Sequence, residues 1–188
     1  MTTELPTFTP EEVAVHRATW TGALRSGGYA QARQYLRRLL APATATEPER
    51  VGYCCLGVAE QLRGCRWIRR HASGGTIWSA ASPDDGETRG AVGTLTVAGR
   101  RWLGVAADDP VVPFVGADGR WKYQYLTVLN DDSEFDRSEL DEDELSSPWS
   151  FARIADAVAA LPVDWDGTTE YARDYAARRN EELDRERD

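Results

Sequence analysis

The chain reads as a helix-rich, single-domain α+β protein with a small antiparallel β portion in its middle. Three observations predict this. Apolar residues recur at three- and four-residue spacing near both ends of the 188-residue chain. Between Cys65 and about Val105 the pattern changes to short runs broken by glycine and proline. A hydrophobic fraction of 41% with seven tryptophans is enough to build one core. The compact domain is expected over residues 1–162, with an acidic insert at 132–146 and a charged helical tail at 163–188.

The elements follow in order. Thr9 reads as an N-cap, with Pro10 at the first helical position and Glu11 and Glu12 facing the helix dipole. The helix so opened puts Val13, His16, Trp20 and Leu24 on one face and stops at Ser26, Gly27 and Gly28. A second helix is expected from Tyr29 to Leu40, turning Ala32, Tyr35, Leu36 and Leu39 inward and Arg33, Arg37 and Arg38 outward. A third runs from Cys54 to about Arg63, with Cys55, Val58, Ala59 and Leu62 as its apolar stripe and Gly64 as its stop. Thr76–Ser79 and Gly93–Val97 read as strands. Trp121, Tyr123 and Tyr125 alternate as a strand does, while Tyr125, Leu126 and Leu129 equally suit a helix. Ser147 and Pro148 are expected to cap a helix with Phe151, Ile154, Ala155, Val158 and Leu161 on one face, and Thr168–Asp188 to form a charged, weakly amphipathic helix frayed at its end.

Composition narrows the function classes. No apolar run approaches the roughly 20 residues needed to span a bilayer, and the first residues lack a secretory pattern, so a cytoplasmic protein without membrane partners is expected. The net charge of −9 is unevenly spread: residues 1–130 carry +3, residues 131–144 carry −8 and residues 145–188 carry −4. A mildly basic body with acidic appendages does not suit strong duplex nucleic-acid binding. Three cysteines without a CxxC pair, and two histidines, show no zinc spacing. No EF-hand order, P-loop, dinucleotide fingerprint or serine-hydrolase elbow occurs, so neither a metal nor a cofactor is expected.

Two groups of residues are candidates for chemistry. Cys54 and Cys55 fall at a helix start, where the dipole and free amides favour thiolate. On that reading Cys54 is a nucleophile, His16 or His71 its base, and Asn130 or Asp131 the orienting group. On the other reading both cysteines are small core residues, and His16 is a core histidine on the Val13–Trp20–Leu24 face. The second group is Arg66, Trp67, Arg69, Arg70 and His71, joined by Arg33 and Arg37. Basic side chains interleaved with an aromatic suit an anionic, nucleotide-like ligand, or else form a solvated face.

The order Trp20–Gly27, Tyr53–Val58, Trp102–Gly104, Leu126–Asp131 and Ser150–Asp156 resembles a small protein family common in tailed-phage and prophage genomes. Its Tyr-Cys-Cys-Leu-Gly block is the specific part. The family passes from Leu-Asn-Asp to Ser-Phe through a few residues, whereas here residues 132–146 intervene, and this chain continues beyond Leu161. The resemblance implies a phage or mobile-element accessory protein and no particular activity. Asn130 and Asp131 then either lock the Phe151–Leu161 helix against the Cys55 helix or point into a pocket floored by Cys54 and Gly57. Three functions stay open: a non-enzymatic protein binding a small anionic ligand or a host protein, a cysteine-dependent hydrolase or transferase, and a protein-binding module acting through the insert or the tail.

Overall fold

A computed structural model of the chain describes residues 7–73, 75–81, 90–131 and 148–187, which form a helix-rich α+β domain. Helix α1 (Pro10–Arg25) starts at the expected cap. Thr9 Oγ1 accepts from the Glu12 amide at 3.3 Å, and Glu12 Oε2 accepts from the Thr9 amide at 2.8 Å, a reciprocal capping box. Trp20 and Leu24 bury its inner face, and the Trp20 indole donates to the Cys55 carbonyl at 2.9 Å.

The expected second helix is not formed. Residues 29–36 run irregularly into strand β1 (Arg37–Ala41), which pairs antiparallel with β2 (Arg50–Tyr53). Long-range pairing overrides the local helical pattern here. The Ala32 amide donates to the Tyr53 carbonyl (2.7 Å), the Tyr53 amide to Ala30 (2.8 Å) and the Leu36 amide to Val92 (2.7 Å). Gln34, with φ of 69°, sits in the left-handed region that no helix tolerates. Ala32 and Leu36 are buried as expected, but from a loop.

Helix α2 (Cys55–Leu62) follows directly, with Cys54 as its N-cap. Strands β3 (Arg66–Ala72) and β4 (Gly75–Ala81) form an antiparallel pair that joins β1 through β4, giving the order β2-β1-β4-β3. The strand expected at Gly93–Val97 is instead an irregular lead into helix α3 (Val97–Leu103). Thr96 caps this helix through its hydroxyl to the Gly99 amide (3.0 Å), and Gly104 ends it with φ of 64°. The decisive contact comes from α2: the fully buried Glu60 carboxylate accepts from the Thr96 amide (2.8 Å) and hydroxyl (2.9 Å), and from Arg63 Nε (2.6 Å). A strand at this position would forfeit those bonds.

A second, two-stranded sheet pairs β5 (Val111–Val115) with β6 (Trp121–Tyr125). The residues that suited both strand and helix serve in both: β6 runs straight into helix α4 (Leu126–Asp131). Helix α5 (Phe151–Ala159) is capped by Ser150, whose hydroxyl accepts from the Arg153 amide at 3.3 Å, three residues later than expected. It packs along α1. Helix α6 (Thr169–Arg187) docks along β6. Asn180 brackets Trp121, accepting from its amide (2.8 Å) and donating to its carbonyl (2.9 Å), while Trp121 meets Tyr175 edge-on. Farther along, Asp184 pairs with Arg120. The acidic insert lies outside the described residues, apart from its flanks. Among the described residues no helix is long and apolar enough to cross a membrane.

Candidate functional site

Cys54, Asn130 and Asp131 are brought together, but as a structural knot. Asn130 is fully buried on α4. Its Oδ1 accepts from the Cys55 amide (3.3 Å) and from Gln31 Nε2 (3.2 Å), and its Nδ2 donates to the Ala32 carbonyl (2.9 Å) and to Asp131. Gln31 also donates to the Trp149 carbonyl (2.8 Å), and Asp131 accepts from the Gln34 amide (2.8 Å). Asn130 thus ties α2 to the loop before β1, and Gln31 carries the tie on to the approach to α5, the locking arrangement rather than the pocket. Gly57 is approached by backbone, not left open for a ligand: a Cβ there would lie 1.7 Å from the Leu36 carbonyl oxygen.

Both thiols are buried. Cys54 is only 2% exposed, and burial pushes its thiol up to about 12, although the Gly57 amide donates to the sulfur at 3.3 Å. Burial, with Cys54 beside it, raises Cys55 well above the ordinary thiol range. Desolvation therefore outweighs the helix terminus. Among the described residues neither histidine hydrogen-bonds a thiol. His16 Nδ1 lies 2.9 Å from the Trp102 carbonyl, with its ring stacked on Trp102, and His71 lies 3.4 Å from Thr76 across the β3–β4 pair. The nearby Asp109, bonded to Thr127, is itself pushed up to about 6 by burial. Iodoacetamide is expected to spare Cys54 and Cys55 in the folded protein and to label both on denaturation. Labelling of the native state with a midpoint below about 8.5 would contradict this assignment.

The basic group is divided by strand alternation. Side chains two apart share a face, so Trp67, Arg69 and His71 stand on one side of β3, and Arg66 and Arg70 on the other, where Arg70 Nε donates to Ser79 at 2.8 Å. Arg33 lies exposed on the loop before β1, beside Asp131. The seven residues expected to form one surface therefore do not, and four of them, Arg37, Trp67, Arg69 and His71, share a sheet face.

That face carries a row the sequence does not announce. The register pairs Tyr53 with Arg37, Arg37 with Trp78, and Trp78 with Arg69, so one residue from each strand lines up in the order aromatic, cation, aromatic, cation. The Arg37 guanidinium carbon lies 5.6 Å from the Tyr53 ring centroid and 4.6 Å from that of Trp78, and Trp67 closes in at 5.5 Å. Arg69 lies 5.5 Å from Trp78 on the far side. Tyr53, Trp67 and Gln61 are fixed together: the Trp67 indole donates to Gln61 Oε1 at 2.8 Å and the Tyr53 hydroxyl does so at 3.4 Å. Tyr29 meets Tyr53 edge-on.

Arg37 differs from the other arginines of the face. Among the described residues its side chain makes no hydrogen bond or ion pair, and its Nε is buried without a partner. Arg69, in contrast, lies 3.4 Å from Glu49. Each cation–π contact contributes about 0.5–2 kcal/mol, holding the guanidinium in place without satisfying its donors. Among the described residues no group of three or more His, Cys, Asp or Glu side chains could hold a metal ion. No protein-family model, curated protein or solved structure matches the chain.

Proposed function

We propose that this protein is a non-enzymatic accessory protein of phage type that takes a small anionic, nucleotide-like ligand on the Tyr53–Arg37–Trp78–Arg69 row. One observation carries the reading: a guanidinium enclosed by three aromatic rings, with a buried Nε and no acceptor among the described residues. The buried Nε left unmet costs about 1–3 kcal/mol, and a phosphate or carboxylate oxygen meeting the outer nitrogens of the same guanidinium forms a charge-assisted bond. Trp78 is buried beneath the two guanidinium groups, and the partly exposed Trp67 is the indole on which a base can stack. The phage-type part rests on the order of the sequence motifs alone.

The test is calorimetric titration of ADP. Wild-type protein is expected to bind, and Arg37→Ala to weaken binding by about 10- to 100-fold, the equivalent of one charge-assisted hydrogen bond of roughly 1.5–3 kcal/mol. Unchanged affinity in a folded Arg37→Ala variant, or no binding by the wild type, would sink the reading.

A further inference from the structure

The row has a second end, and an acid already sits on it. Arg37 and Arg69 flank the same indole from the two strands that border β4, so their backbones stand two strand spacings apart, roughly 9.5 Å. Glu49, immediately before β2, reaches the face from the opposite edge of the sheet and puts Oε2 3.4 Å from Arg69 Nη2. The loop that delivers it is built to do so: Thr44 accepts from the Glu47 amide (3.0 Å) and donates its own amide to the Glu47 carbonyl (2.9 Å), turning the chain two residues before Glu49. Among the described residues the two cations of the row are thus in unlike states, one answered by a carboxylate of the chain and one by no acceptor.

We propose that the site takes a ligand bearing two anionic groups, one on Arg37 and one on Arg69, and that Glu49 holds the second position until the ligand displaces it. This rests on the anion-binding reading of the row. A single phosphate engages the open Arg37 end and leaves the Glu49 pair intact. A diphosphate reaches past Trp78 and competes with Glu49, so the carboxylate sets a threshold that favours bis-anions only as far as their second charge outweighs it. Arg69 and Glu49 are both partly exposed, which keeps the threshold low enough for a ligand to cross.

The experiment titrates AMP and ADP into the wild type, Glu49→Gln, Arg69→Ala and Glu47→Gln. The last removes the same charge from an exposed side chain of the same loop and controls for net charge. Glu49→Gln is expected to tighten ADP about threefold and leave AMP within the change caused by Glu47→Gln. Arg69→Ala is expected to erase both the preference for ADP over AMP and the effect of Glu49→Gln in the double variant. If Glu49→Gln leaves ADP unchanged while Arg37→Ala still weakens it, the displacement idea is overturned and the anion site stands. If neither nucleotide binds any variant, the site itself is overturned, and the displacement idea with it.

Discussion

Gly57→Ala is expected to abolish the native fold. The added methyl would lie 1.7 Å from the Leu36 carbonyl oxygen and 2.5 Å from its carbon, distances that no real Cβ keeps. Both are backbone atoms, so no side-chain rotation relieves the clash. Relief requires moving the chain that enters β1, a strand held between β2 and β4. It also breaks the bond from the Cys54 amide to the same Leu36 oxygen (3.2 Å). Overpacking against backbone at the centre of a core belongs with the rare substitutions costing more than about 4–5 kcal/mol, and a domain holds only about 5–15 kcal/mol in total. The readout is thermal unfolding followed by circular dichroism. No cooperative transition is expected. A melting temperature within a few degrees of the wild type would show that α2 and β1 do not meet as described.

Asn130→Ala is expected to be the most damaging change at a polar position. It leaves the Cys55 amide and the Ala32 carbonyl without their side-chain partner in a buried setting, and it frees Gln31 and Asp131 from the same hub. Each orphaned buried group costs about 1–3 kcal/mol, so a total near 4 kcal/mol is expected, lowering the melting temperature by roughly 10 °C or more in a chain of this size. Urea titration should show a lower midpoint with an unchanged slope. A midpoint equal to that of the wild type would mean that water replaces the amide and that the knot is not closed.

Helices whose ends carry chemical punctuation were legible in the sequence: Thr9 with Glu12, Cys54 before an apolar stripe, and the Phe151–Leu161 face. The failures were of one kind. Residues 29–40 have helical spacing, and residues 93–97 resemble a strand, yet each is decided by partners far away, Tyr53 and Val92 in one case and Glu60 in the other. The Cys54–Asn130 association was foreseeable because both lay in compact motifs, but its sense was not, since burial rather than sequence sets the thiol pKa. For the basic group the signal is the alternation of strand faces. Once residues 66–72 are taken as a strand, alternation separates Trp67, Arg69 and His71 from Arg66 and Arg70. No such signal existed for Trp78 or Glu49, which join the row only through a register between strands.

The chain leaves α4 and returns before α5 at almost one point, because the Trp149 amide donates to the Leu129 carbonyl at 2.8 Å and Gln31 clasps the Trp149 carbonyl from the other side. The exit and re-entry of residues 132–147 are therefore clamped by groups that belong wholly to the domain. A clamp of this sort makes the position a graft site. Lengthening or shortening the connection there changes its entropic cost by only about 0.6 kcal/mol for each doubling of length. An engineer could splice in a tag at this point.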